Sequence, residues 1–270
     1  VIGEEYLRLG KTAAAVGFLA LFWVWESLHP FFPFRAGRWR HARRNLAVAI
    51  LNAVVLGLTF GLVATVVSDW CDEHWLGLLR QFELPNVVQL VLALGLIDGW
   101  TYVWHRANHT IPFLWRFHRM HHSDDRMDVT TATRFHPGEL LISSLLYLVL
   151  MPLLGFTAWH LAVYQTILLV MTQFHHANIS LGRFDAPLRW LIVTPDMHKV
   201  HHSNLRPETD SNYSSVLSLW DRLARTFRRR DDPATIRFGL DEFGEPRWQT
   251  VSGMLTTPLS PDSRPDLPAK

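Results

Sequence analysis

Long apolar runs alternate with short polar links along this chain, and the runs are apolar on all faces rather than striped. A helix without a polar face is buried all round, in a large core or in a bilayer. Five such segments occur, at residues 12–28, 46–67, 87–104, 140–154 and 157–174. A membrane-spanning helix needs about 20 apolar residues. The first three segments approach or meet that length. The last two, separated by little more than Gly155-Phe156, are short and are expected to form a tilted or partly inserted hairpin. The expected fold is all-α, an integral membrane helical bundle of four to five membrane helices with a cytoplasmic histidine-rich cap. The expected division is N-terminal membrane helices at 1–84, membrane helices plus cap at 85–230, and a polar, Pro-rich tail at 231–270. From Thr256 the tail, with Pro258, Pro261, Pro265 and Pro268, has the composition of a disordered stretch.

Charge orients the bundle. The link after the first segment holds Arg35, Arg38, Arg40, Arg43 and Arg44 and no acid. The link after the second holds Asp69, Asp72, Glu73 and Glu83 against Arg80 alone. The positive-inside rule places the arginine link in the cytoplasm. The third segment then ends inside at Trp104, and the fourth and fifth leave and return to the same side. Every clustered histidine therefore falls at one membrane face, although the histidines played no part in the topology argument.

Composition narrows the chemistry. A net charge of +2 gives no reason to expect a nucleic-acid partner. The single cysteine, Cys71, rules out an intramolecular disulfide and a thiolate metal cage. The opening residues lack a basic n-region and cleavage pattern, so no signal peptide is expected. Most of the 15 histidines lie between positions 105 and 202, in four short elements. His105 and His109 are four apart and share a helical face with Asp98 and Tyr102, within about 60° of arc. His118-Arg-Met-His121-His122 and His198-Lys-Val-His201-His202 each gather three imidazoles on one side of a turn. The third element is Gln173-Phe-His175-His176-Ala-Asn178 at the end of the fifth segment. Neutral imidazole suits iron, zinc, copper or nickel. Two metals with four or five nitrogens each would use eight to ten histidines, close to the number these elements supply. No Glu-x-x-His carboxylate box of the soluble di-iron bundles is present.

At these boxes the chain resembles the fatty acid hydroxylase/sterol desaturase superfamily. The residues carrying the resemblance are Asp98-x3-Tyr102-x2-His105-Arg-x2-His109, Trp115-Arg-Phe-His118-Arg-Met-His121-His122-Ser123, Arg134-Phe-His136-Pro137, His176-Ala-Asn178, and Thr194-Pro-Asp-Met-His198-Lys-Val-His201-His202-Ser203. Asn212-Tyr213 and Leu219-Trp-Asp-Arg-Leu223 extend it, over residues 90–225. The resemblance implies two iron ions ligated by histidines at the cytoplasmic face, O2 as co-substrate, a membrane lipid hydroxylated or desaturated, and electrons from a separate electron-transfer protein. The nitrogen set also suits zinc as the metal found on purification. The implied ligands are His105, His109, His118, His121, His122, His176, His198, His201 and His202. His175 stays open. Asn178 shares the third box pattern and is kept as a metal-side or supporting residue.

Single residues have several readings. His136 is a metal ligand, a donor to a ligand, or a turn residue capped before Pro137. Asp98, costly inside a span unless paired, is expected to orient His105 or His109 by accepting the other ring N–H. Tyr102 is as well explained by packing as by function. His29, His41, His74 and His160 are expected to be structural or surface residues. Arg225 and Arg228–Arg230 form a basic patch, facing anionic headgroups, an acidic donor or only solvent. Two other function classes fit less well. A membrane zinc hydrolase would need a general base such as the Glu of His-Glu-x-x-His, and no box has Glu beside His. A metal carrier would need polar residues across the membrane, where only Asp98 is conspicuous.

Overall fold

The structure is a computed structural model that describes residues 2–34 and 36–261. Arg35, counted in the basic link, and Pro265 and Pro268 of the tail lie outside the described residues. Among the described residues there is no β-strand beyond two isolated bridges. The α-helices are α1 Ile2–Leu28, α2 Arg38–Thr59, α3 Gly61–Glu73, α4 Asn86–Thr110, α5 Pro112–His122, α6 Pro137–Leu154, α7 Ala158–His176, α8 Asp185–Leu188, α9 Pro195–His201, α10 Arg206–Thr209, α11 Leu219–Leu223 and α12 Val251–Thr256.

Among the described residues four helices are long and apolar enough to cross a membrane: Leu9–Leu28 within α1, then α2, α4 and α6. No more than a third of any of these spans is buried against the rest of the protein. Their outer Val, Leu and Ile side chains need an apolar solvent, so this is an all-α membrane bundle.

Two sequence expectations change here. The run at 46–67 is not one helix. It breaks at Phe60, which caps α2 by donating its N–H to Leu56 O, and α3 restarts at Gly61. Helix α2 also begins earlier than the apolar run, at Arg38, after Gly37 turns the chain with φ 83°. The link arginines Arg38, Arg40, Arg43 and Arg44 therefore ride on the first turns of a helix rather than in a loop.

Helices α1 and α7 run side by side in the same direction. Lys11 Nζ donates to Gln165 Oε1 (2.7 Å), Gln173 Nε2 donates to Ala15 O (3.0 Å), and the Phe22 and Phe174 rings lie 5.7 Å apart. At the far end the Glu26 carboxylate accepts from Asn178 N (2.9 Å) and Val129 N (3.0 Å) and pairs with Arg38 (2.8 Å). One end of the bundle thus collects the C-terminal ends of α1, α4 and α7 and the N-terminal ends of α2 and α6. The core around Cys71, Ile97, Tyr147, Met151 and Tyr164 fills the other half. There Gly77 and Gly155, both at positive φ, cross so closely that a Cβ on Gly77 would sit 2.2 Å from Gly155 backbone. Any side chain at Gly77 would push α6 away.

Residues 251–261 are folded against the bundle. Met254 and Thr257 are fully buried, and Arg119 of α5 donates to Thr257 O and Ser260 O (both 2.6 Å) and Pro261 O (3.3 Å). The expectation of disorder from Thr256 does not hold for these residues. Composition missed that a buried guanidinium recruits their carbonyls.

Candidate metal centre

The four histidine elements converge. Helix α4 delivers His105 and His109 from its last turns. A short turn at Ile111, with Pro112 in the first turn, folds α5 back so that His118, His121 and His122 meet them. Helix α7 contributes its C-terminal histidines. Helix α9 starts with Pro195 behind the Thr194 cap, whose hydroxyl accepts from Met197 N, and carries His198 and His201, with His202 as its C-cap.

The nine histidines of the implied ligand set fall into two groups. His105, His109, His118, His122 and His201 form one; His121, His176, His198 and His202 form the other. Within each, the candidate donor atoms all lie within 4.8 Å of one another. In the second, His176 Nε2 lies 3.1 Å from Nε2 of His121, His198 and His202 alike. In the first, His105 Nε2 and His201 Nε2 are 3.1 Å apart.

Outer partners determine which nitrogen carries the proton. His105 Nδ1 donates to Tyr213 O (2.7 Å), His201 Nδ1 to Ser211 O (2.7 Å) and His176 Nδ1 to Thr172 O (2.8 Å). His118 Nδ1 donates to Glu139 Oε1 (2.8 Å), which also takes the Asn108 amide (3.3 Å). A carbonyl only accepts, so each of these Nδ1 atoms is the protonated one, and each neutral ring turns a bare Nε2 lone pair inward. His105 and His201 then oppose lone pair to lone pair. His176 offers one lone pair to three neighbours, which no scheme of N–H···N bonds satisfies. Among the described residues the buried His118 Nε2 has no hydrogen-bond partner, nor has either nitrogen of His122. A cation between the rings removes the conflict. Nitrogens about 2.1 Å from one metal at right angles would be about 3.0 Å apart, close to the observed spacing. The donor set fits metal ions.

Electrostatics agrees. Burial first, then neighbouring imidazoles, hold His121, His122, His198, His201 and His202 well below the usual histidine range. The neutral form is the one that ligates.

A cavity of about 350 Å³ opens on this cluster. His105, His118, His121, His175, His176 and His198 line one end; Leu56, Leu140, Leu168 and Leu169 line its length; Lys11 and Gln165 line the other end. Gln165 precedes His176 by eleven residues on α7, so the slot extends about 16 Å.

The remaining candidates are placed elsewhere. Asp98 touches neither His105 nor His109. Its carboxylate accepts from Tyr164 Oη (2.8 Å), Trp220 Nε1 (2.7 Å) and Leu217 N (3.1 Å). It sits two turns below His105, and nearer donors claim it. Tyr102 Oη donates to Thr226 Oγ1 (2.9 Å), whose own proton goes to Asp221 (2.7 Å), so Tyr102 ties α4 to the segment behind Tyr213. Asn178 is engaged on both sides by Phe32 backbone (2.8 Å each), a clamp on the α1–α2 link. His136 caps α6: Nδ1 accepts from Gly138 N (2.9 Å) and Nε2 donates to Leu255 O (3.1 Å). Of its three readings the structure matches the capped turn. His175 is buried outside both groups, with its ring centre 3.9 Å from that of His198. In the basic patch, Arg230 pairs with Glu208 (2.8 Å).

Sequence reasoning missed Glu139 and Glu26. Both are carboxylates at or inside an apolar run, and the rule that flagged Asp98 applied equally to them. Glu139→Gln should keep the fold but weaken metal retention about 10–100-fold, the range for losing a ligand's outer partner. Chelator competition on the purified variant measures this; wild-type retention would show that the His118–Glu139 bond does not tune the site.

These features define a membrane bundle with a buried polyhistidine cluster whose donors fit metal ions. The profile of the family described as Fatty acid hydroxylase matches residues 90–226, and the chain belongs to that family. Among curated relatives, ornithine lipid hydroxylase OlsE of Rhizobium tropici is 33% identical over 197 residues, covering 70% of this chain and 56% of the relative. Alkylglycerol monooxygenase of Xenopus tropicalis is 32% identical over 142 residues, covering 48% and 28%. The very-long-chain aldehyde decarbonylase GL1-5 of Oryza sativa subsp. indica is 29% identical over 153 residues, covering 53% and 24%. The chain thus spans about half the length of OlsE and less of the others. No solved structure matches it.

Proposed function

We propose that this protein is a membrane-bound, O2-dependent lipid hydroxylase whose two iron ions are held by the nine histidines. The carrying observation is the set of bare, opposed Nε2 atoms at the end of an apolar slot. The five-histidine group would hold one ion and the four-histidine group the other. Iron in these positions supplies dioxygen activation and C–H oxidation. The chain's own residues do the rest. Tyr213 O, Ser211 O, Thr172 O and Glu139 keep the ring protons on Nδ1 and aim Nε2 inward. Leu140, Leu168 and Leu169 hold an apolar substrate chain and keep water out. His175, beside His198 and facing the slot, limits how near the substrate approaches.

The balanced reaction consumes one C–H bond and O2 with two electrons and two protons, giving an alcohol and water. The electrons come from a separate electron-transfer protein. Hydroxylation rather than desaturation is preferred because the two most identical of these three relatives carry the names hydroxylase and monooxygenase. The arginines leading α2 support a cytoplasmic position for the histidine end.

Ferrous-loaded protein in liposomes, supplied with lipid extract and a reducing system, should consume O2 and yield a lipid one oxygen atom heavier. A product lighter by two hydrogens would replace hydroxylation by desaturation. Lipid turnover that continues without O2 or iron would overturn the reading.

A further inference from the structure

Residues 182–192 and 217–223 lie outside the spanning helices, yet they form one apolar lobe. Val193 N donates to Val216 O (3.0 Å) and Ser218 N to Leu191 O (3.2 Å). Ser218 Oγ and an Arg222 nitrogen both donate to Arg189 O (2.7 Å each), and the Arg222 guanidinium lies 4.0 Å above the Trp190 ring. The outward side carries Leu188, Trp190, Leu191, Leu217, Leu219 and Leu223, with Trp190, Leu191 and Leu223 each about two-thirds exposed (66%, 67% and 67%). A contiguous apolar face of this kind marks an interaction surface.

The depth of the lobe identifies what it meets. Between the exposed leucines Trp220 turns inward, bonds Asp98 (2.7 Å) and covers Gly99, where an added Cβ would lie 3.1 Å from the indole. Asp98 is seven residues before His105 on α4, so the lobe attaches about 10 Å further from the histidine end than the cluster itself. Helix α4 surface remains apolar and exposed on either side of that point, at Val103 (51%) and Val91 (62%). Twenty residues from the start of α4 at Asn86 span about 30 Å, the thickness of the hydrocarbon layer. Attachment at Asp98–Gly99 therefore falls inside that layer. Charge agrees with this depth. Exposed Arg183 stands on the lobe and exposed Arg225 just beyond it, whereas its acids are spent: Asp185 pairs with Arg189 (3.1 Å), and Asp221 is buried, accepting from Tyr213 N (2.8 Å) and Ser214 N (2.9 Å).

We infer that this lobe is a monotopic membrane insert, seated in the leaflet at the histidine end, with its leucines and Trp190 among acyl chains and its arginines reaching anionic headgroups. Tryptophan favours that boundary, and arginine stems extend from it towards water. The inference rests on reading α4 as a span, and the test separates the two. Leu191→Cys, Val91→Cys and Glu245→Cys chains, spin-labelled and reconstituted in phosphatidylethanolamine–phosphatidylglycerol liposomes, are compared for collision with O2 and with a water-soluble nickel chelate. Cys71 is fully buried and stays in place, the labelled parent chain serving as blank. Leu191→Cys should match Val91→Cys, colliding several-fold more with O2 than with nickel, while the exposed Glu245→Cys shows the reverse. Nickel-dominated collision at Leu191→Cys, with Val91→Cys still lipid-like, overturns the insert and leaves the span. Nickel access at both removes the span reading as well. Spin–spin broadening at Leu191→Cys that vanishes on dilution into lipid would assign the face to a second copy of this chain and overturn the insert.

Discussion

His198→Ala should purify, after loading with Fe(II) under reducing conditions, with about one metal ion per chain where the parent holds about two. His198 belongs to the four-histidine group alone, so its loss leaves three donors there and five in the other group. Adding His122→Ala, which removes a donor from the five-histidine group, should bring the content towards zero. Two separable steps would follow from two centres, each held by its own nitrogens. Activity should vanish in either single variant, because ligands that act as a unit fail together. Metal analysis by mass spectrometry decides the matter: a parent chain with fewer than two ions, or a His198→Ala chain that keeps both, removes the two-centre reading.

The second large effect concerns a residue outside the boxes. His41 on α2 is buried between two buried carboxylates, Nδ1 3.0 Å from Asp128 and Nε2 2.9 Å from Asp124. Both ring nitrogens face acceptors, so both carry protons and the ring is a cation. Burial alone would raise Asp124, yet His41 and Arg134 beside it hold its carboxyl well below the usual carboxylate range. Removing one partner of such a buried set costs about 3–5 kcal/mol, since the remaining charges stay buried without it. His41→Ala should therefore lower the apparent melting temperature by on the order of ten degrees. Its metal content, measured well below the melt, should stay at the parent level, because His41 faces no member of either histidine group. A melt like that of the parent would show that the imidazole does not hold α2 to the 124–131 turn.

The contrast between these two residues explains what was legible. The boxes announce themselves through spacing: four apart on α4, three and four apart on α5 and α9, and helical geometry alone brings the rings to one side. The common end also followed from charge, since counting arginines in the links predicts which helix ends meet. His41 carried no such signal. Its partners lie 83 and 87 residues away, and nothing within the first turns of α2 distinguishes it from the arginines around it. Asp98 shows the same limit from the other side. Its burial was legible from its place in an apolar run, but its partners were not. Tyr164 and Trp220 are 66 and 122 residues distant and only the folded chain brings them closer than the histidines on its own helix. The break at Phe60 lies within a run whose composition does not change there.

The clasp of Arg119 on the 257–261 carbonyls has a bearing on the order of events during synthesis. Arg119 sits within the second histidine box, and its acceptors follow it by 138 to 142 residues. While the chain is still emerging from the ribosome, that guanidinium cannot yet reach the carbonyls it holds in the folded protein. The clasp that ties the box helix to the 257–261 segment is thus among the last contacts of the bundle that can form, although the helix itself is translated early.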